Sequence, residues 1–314
     1  MYLDYYGLHE FPFSLTPDTS YFFSYGHYRD ALNTLLVALE NGEGFIKVTG
    51  EVGTGKTLLC RKLLNHLESE PENYVTAYLP NPYLTPNALI LAIASELGLD
   101  VPRNAGAHRA MDALNKKLIE LSAEGKRVIL CIDEAQAMPD QTLEAVRLIT
   151  NLETEKRKLL HVVLFGQPEL DEHLAKPAVR QLRQRITFSY TLEPIDRDGL
   201  DAYINHRLII AGNNGQVRFH QKALTLLYKG SRGIPRLINI LAHKSLLLGY
   251  GKGTDVIEPE HVKLAIEDTE GARHDGFWQN KRVLGWLLGT GIVLLIVLAA
   301  LLMTQTHLFS GVSP

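Results

Sequence analysis

The 314-residue chain has little that could crosslink it: its two cysteines, Cys60 and Cys131, lie far apart inside apolar stretches and form no Cys-x-x-Cys pair. That excludes a disulfide framework and a clustered zinc site, and it fits buried thiols in a reducing compartment. An excess of positive charge is also missing. Lys and Arg number 32 against 35 Asp and Glu, a net charge of −3, so there is no global electrostatic case for nucleic acid as a partner. The opening Met1-Tyr2-Leu3-Asp4-Tyr5-Tyr6 has neither the basic nor the apolar region of a signal peptide, and internal repeats and low-complexity tracts are absent. Histidines and methionines show no ligand spacing. With 46% hydrophobic and 21% charged residues, the composition is that of a folded chain and not of a disordered one.

Charge is absent altogether from Val283–Met303, a run of 21 residues of which 13 are Leu, Ile or Val. As a helix at about 1.5 Å per residue it matches the roughly 30 Å hydrocarbon core, so a single membrane span is expected there. Lys281 and Arg282 precede the run, and Thr304–Pro314 has no Lys or Arg. The positive-inside rule therefore places the large N-terminal part in the cytoplasm and the short tail in the periplasm.

Before that run, β-branched apolar segments alternate with helical patterns. Strands are expected at Gly44–Thr49, Tyr74–Leu79, Arg127–Ile132, Leu159–Gly166 and Ile186–Leu192. Helices are expected at Tyr28–Glu40, Lys56–Glu70, Pro86–Leu97, Ala107–Ala123 and Gln141–Asn151. This alternation predicts an α/β fold, a parallel sheet with helices on both faces. After Asp196 only helices are expected, at Arg197–Ala211, His220–Lys229, Pro235–Gly249 and Pro259–Glu270. The expected organisation is an α/β domain over 1–195, a small all-helical domain over 196–270, a polar linker over 271–282, a membrane helix over 283–303 and a tail over 304–314.

Two motifs carry chemistry. Gly50-Glu51-Val52-Gly53-Thr54-Gly55-Lys56-Thr57 fits Gly-x-x-x-x-Gly-Lys-[Ser/Thr] in full, between an expected strand and a helix opening at Leu58. Glycines there let backbone N–H groups wrap phosphates, Lys56 reaches the β- and γ-phosphates, and Thr57 holds Mg²⁺. The apolar strand Val128–Ile132 ends in Asp133 and Glu134. Asp133 is expected to complete the Mg²⁺ site through water, and Glu134 to activate the attacking water.

Together these residues resemble the AAA+ ATPases of the P-loop class. The opening Tyr6-Gly7-Leu8 with Phe11-Pro12-Phe13, the Ile132-Asp133-Glu134-Ala135-Gln136 run and Gly166-Gln167-Pro168-Glu169-Leu170 narrow the resemblance to the ExeA/GspA secretion ATPase family. The resemblance implies a helical lid after the α/β domain, ATP as substrate, and Gln167 as the polar sensor beside the γ-phosphate. Arg236, in Gly233-Ile234-Pro235-Arg236, takes the place of the lid arginine that touches that phosphate. Among Arg180, Arg183 and Arg185 it implies an arginine finger offered to a neighbouring subunit of a homo-oligomer, Arg183 or Arg185 preferred. Adenine is implied by the resemblance alone, since no base-reading motif is evident. The expected role is an ATP-driven motor or switch at the inner membrane, with pilus or secretion assembly proteins as partners. Longer relatives carry a peptidoglycan-binding domain beyond the span, and the 11 residues after it here do not carry that expectation over. Two other readings stay open: a DNA-bound regulator using Lys156-Arg157-Lys158 and the Arg180–Arg185 cluster, and a nucleotide-dependent scaffold with negligible turnover.

Overall fold

In the computed structural model, residues 2–102, 106–153 and 158–272 are described. The expected membrane span, Lys281 and Arg282, the tail and nearly all of the linker lie outside them, as do Lys156 and Arg157. Among the described residues no helix is long and apolar enough to cross a membrane.

One compact unit extends from Met1 to Ala265. At its centre five strands, β1 (Phe45–Thr49), β2 (Tyr74–Leu79), β3 (Arg127–Ile132), β4 (Leu160–Gly166) and β5 (Phe188–Thr191), pair in the order β2-β3-β4-β1-β5, every pairing parallel. Strand β4 is buried at every position and β3 from Val128 onward. That is the mark of a sheet covered on both faces. Parallel pairing brings all the C-terminal strand ends to one edge: Thr49 of β1 lies opposite Gly166 of β4 on one side and Thr191 of β5 on the other. The chain leaves β1 toward β2 in one direction and returns past it to β5, so β1 ends at the point where the strand order reverses, the place where such sheets bind ligands.

The helices before and between the strands are α1 (Tyr2–Tyr6), α2 (His27–Glu40), α3 (Lys56–Glu68), α4 (Pro86–Glu96), α5 (Ala107–Ala123), α6 (Asp140–Ile149), α7 (Glu169–Leu174) and α8 (Arg180–Arg183). Their boundaries follow local chemistry. Thr85 caps α4 by accepting the Ala88 N–H, with Pro86 in the first turn. Helix α5 buries Ala110, Leu114, Leu118 and Leu121 at helical spacing. They join Leu130 and Leu164 of the sheet in one hydrophobic cluster. Cys60 of α3 and Cys131 of β3 are free, fully buried thiols that lie side by side; the Cys131 thiol and burial hold the Cys60 thiol well above its usual range.

After the sheet come α9 (Gly199–Ile210), α10 (Gln221–Ser231), α11 (Pro235–Gly251) and α12 (Pro259–Glu267). The sequence leads one to expect helices alone here, but this part is not purely helical. Arg218–Phe219 (β6) pairs in parallel with Val256–Ile257 (β7), two residues on each side, too short for an alternation pattern. Nor does the sequence mark α1, α7 or α8, each under two turns.

The first 14 residues dock onto these later helices. Tyr2 Oη lies 2.9 Å from His243 Nδ1, and Tyr6 Oη donates to the carbonyls of Leu246 (3.2 Å) and Thr254 (3.0 Å). Arg207 of α9, only 4% exposed, donates from Nε to the Pro12 carbonyl (2.5 Å), from Nη2 to the Ser14 carbonyl (3.3 Å) and from Nη1 to Tyr203 Oη (3.3 Å). Its guanidinium also sits 4.5 Å from the Tyr21 ring centroid. Substituting Arg207 by Met leaves the Pro12 carbonyl without this donor, at a cost of about 1–3 kcal/mol. Thermal unfolding should show a lower Tm, and limited proteolysis faster cleavage within residues 1–26.

Candidate nucleotide-binding site

The glycine-rich loop begins where β1 ends. The Leu192 N–H donates to the Thr49 carbonyl at 2.7 Å, and Gly50 packs so closely beside it that a Cβ would lie 2.7 Å from the Leu192 carbonyl oxygen. Gly53 (φ 83) and Gly55 (φ 96) then turn the chain through left-handed conformations into α3. The Tyr28 hydroxyl on α2 donates to the Thr54 carbonyl at 2.8 Å and fixes the loop from outside. Inside it, Lys56 Nζ donates to the carbonyls of Gly50 (2.7 Å) and Glu51 (2.9 Å). Lys56 is 5% exposed. Burial lowers its pKa against the pull of Glu134, Asp133, Glu51 and Glu169, which raise it.

Asp133 follows β3. Its Oδ2 accepts the Thr57 hydroxyl at 2.6 Å and its Oδ1 the Glu134 N–H at 2.9 Å. Burial raises the Asp133 pKa, and those two hydrogen bonds only partly oppose it. Glu134 has a left-handed backbone (φ 52, ψ 38), which costs a non-glycine residue roughly 1–2 kcal/mol. Its Oε2 accepts from Gln136 Nε2 (2.6 Å) and from Gln167 Nε2 (3.0 Å), while the Gln167 N–H donates to Gln136 Oε1 (3.0 Å).

A cavity of about 320 Å³ opens over this edge. Of the residues expected at a site, Val52, Gly53, Gly55, Lys56, Thr57, Leu58, Glu134, Gln167 and Arg236 line it. Gly50, Thr54 and Asp133 are buried outside the lining, and Glu51 is exposed beside it. Arg236, in the first turn of α11, donates its N–H to the Gly53 carbonyl at 3.2 Å, and a Cβ on Gly53 would lie 2.7 Å from Arg236 Cβ. The loop tip and α11 are thus in direct contact. Arg180, Arg183 and Arg185 are not part of this lining; Arg180 and Arg183 are exposed and Arg185 half-buried.

Sequence reasoning missed the opposite wall. Ser14–Asp18, Tyr203, Arg207 and Asn239 also line the cavity. Tyr203 Oη donates to Asn239 Oδ1 at 2.9 Å, and Asn239 Nδ2 to the Ser14 carbonyl at 3.4 Å. A polar Asn239 within the otherwise apolar Leu237–Leu241 was the available signal. Chemically, the lining fits a polyanion with a divalent ion: a dry ammonium bonded only to carbonyls of its own loop, a hydroxyl–carboxylate pair, and a second carboxylate held by two amides.

Residues 39–174 match the family model described as an AAA domain. Over these residues the chain is similar to an AAA domain. The General secretion pathway protein A of Aeromonas hydrophila is 42% identical over 280 residues, which cover 89% of this chain and 50% of that protein. The chain thus spans about half the length of that relative. Among solved structures, the chain is similar to Cdc6p from Pyrobaculum aerophilum (TM-score 0.60, 20% identity, covering 79% of this chain and 70% of that one). It is also similar to the ORC2 protein of Aeropyrum pernix in its ADPNP-ADP complexes (TM-score 0.58, 18% identity, 78% and 67% covered). At these identities the likeness is one of fold.

The raised pKa of Asp133 has a consequence for stability. A carboxyl whose folded pKa lies above its unfolded value favours folding below the unfolded pKa, and that contribution is lost as pH rises through the folded pKa. Ionised Asp133 therefore destabilises the nucleotide-free protein at neutral pH. Asp133→Asn should raise its Tm at pH 7, and the difference should shrink as pH falls through the raised pKa toward the ordinary carboxylate range.

Proposed function

We propose that the chain is a membrane-anchored member of the ExeA/GspA secretion ATPases, binding ATP with Mg²⁺ and using its hydrolysis to drive or regulate assembly of a secretion apparatus or type IV pilus. The observation that carries the reading is the convergence of Lys56, Thr57, Glu134, Gln167 and Arg236 on one cavity, with Asp133 directly behind Thr57. On this reading Gly50–Leu58 wraps the phosphates with backbone N–H groups and Lys56 exchanges its loop carbonyls for phosphate oxygens. Thr57 and, through water, Asp133 would hold Mg²⁺, which supplies neutralisation of the phosphate charge. Glu134 takes a proton from the attacking water, and Gln167 orients that water beside it.

Residues 196–270 act in this proposal as the lid over the α/β part, 1–195. Support comes from Arg236, which shares the cavity with Lys56 and whose backbone is bonded to Gly53. Loss of the γ-phosphate would be felt at the start of α11 and so change the angle of the lid. Arg183 or Arg185, outside the cavity lining of their own chain, serve a neighbouring subunit of a homo-oligomer, where such an arginine contributes about 10³–10⁵ in rate.

Anchoring rests on the uncharged run Val283–Met303, with Lys281 and Arg282 orienting it so that the ATPase faces the cytoplasm. The finer reading is a likeness to MshM of the mannose-sensitive haemagglutinin pilus system. Relatedness to General secretion pathway protein A supports the secretion branch of the proposal.

Equilibrium binding tests the site: Lys56→Ala should abolish binding of ATP with Mg²⁺, whereas Glu134→Gln should bind ATP and lose turnover. Unchanged affinity in Lys56→Ala would sink the assignment of the loop. The anchoring is tested by extraction of cell membranes at alkaline pH: the full chain should stay in the pellet, and a chain ending at residue 275 should appear in the supernatant.

A further inference from the structure

Gln136 is half-buried in the 3₁₀ turn Ala135–Ala137 and does not line the cavity. Both polar ends of its side chain nevertheless engage residues that do. Its Nε2 holds Glu134 Oε2 at 2.6 Å, its Oε1 takes the Gln167 N–H at 3.0 Å, and Gln167 Nε2 closes the triangle on the same Glu134 oxygen at 3.0 Å. Gly166, the last residue of β4, leaves room for this: a Cβ there would already lie 3.3 Å from Gln136 Oε1. An amide head is the side-chain group that offers a donor and an acceptor on one rigid plane, which the two different demands of Glu134 and Gln167 require.

We propose that Gln136 is a positioning residue for ATP hydrolysis: it clamps the Glu134 carboxylate to the backbone and amide of Gln167, so that the two share one orientation toward the water. Gln136 itself touches neither nucleotide nor water. The left-handed backbone of Glu134 makes such a clamp necessary, because a strained residue keeps its position only where its surroundings over-determine it. The inference rests on the reading of Glu134 as the group that activates water.

Steady-state ATPase kinetics on the full chain, alongside ADP affinity, test it. A misplacement of about 1 Å at a reacting group costs on the order of 100-fold in rate. Gln136→Leu should therefore lower kcat about 10–100-fold while KM for ATP and the Kd for ADP stay within about twofold. Gln136→Glu, which keeps the shape but loses the donor and faces Glu134 with a second carboxylate, should fall further. Gln136→Leu added to Glu134→Gln should cost less than Gln136→Leu alone, since part of the clamp acts through Glu134. Should Gln136→Leu not fold, Gln136→Asn, with the amide one methylene short of reaching both partners, should show the same loss in kcat at unchanged ADP affinity. An unchanged or raised kcat in Gln136→Leu, or ADP affinity falling together with kcat in every variant, overturns the proposal. Full turnover in Glu134→Gln would instead overturn the reading of Glu134 beneath it.

Discussion

Everything at the site depends on the parallel register of β1 between β4 and β5. Because the three strands run the same way, the turn after Thr49 emerges beside Gly166 and against Leu192, and Leu192 with Thr54 leaves no space for a side chain at Gly50. One strand further, β3 delivers Asp133 to the same edge, where it meets the first turn of α3 through Thr57. An antiparallel pairing would have scattered these groups to opposite ends of the sheet. The sheet therefore supplies more than a core, since its hydrogen-bond ladder is the ruler by which an ammonium, a hydroxyl, two carboxylates and an amide are brought together from segments more than a hundred residues apart.

Bringing them together is costly, and the cost is visible. Lys56 and Asp133 are both nearly free of solvent, and burial shifts each toward its neutral form. The loop carbonyls on Lys56 and the hydroxyl and N–H on Asp133 offset that only in part. A polyanion and a divalent ion have the complementary charges, so the destabilised groups become affinity when such ligands arrive. Strain at Glu134 follows the same logic: a backbone conformation unfavourable in isolation aims a carboxylate where two amides wait for it.

Much of this was legible in the sequence, for physical reasons. Strands buried on both faces read as apolar runs, and Arg127–Ile132 and Leu160–Gly166 form where those runs lie. The glycine-rich loop was legible because its backbone geometry tolerates few residue types, and Asp133 and Glu134 because acids interrupt an apolar strand end. Short elements left no periodic trace: α1, α7, α8 and the β6–β7 pair are all too brief to repeat a pattern. Gln136 stood in plain view inside Ile132–Gln136, yet its role exists only through Gln167, 31 positions later. The wall of the cavity built from Ser14–Asp18 and Arg207 was hidden for the same reason, because its parts lie about 190 residues apart.

That separation bears on how the molecule is made. Tyr2 and Tyr6 find their partners at His243, Leu246 and Thr254, some 240 positions later. A ribosome adding about 5–20 residues each second needs roughly ten to fifty seconds to reach them. In the last part of that interval, once Thr191 has emerged, the glycine-rich loop and the sheet can be complete while the cavity still lacks two of its walls, the strap at Ser14–Asp18 and the start of α11. The Ser14–Asp18 strap is thus set late, and a nascent chain has no finished cavity until α11 has emerged.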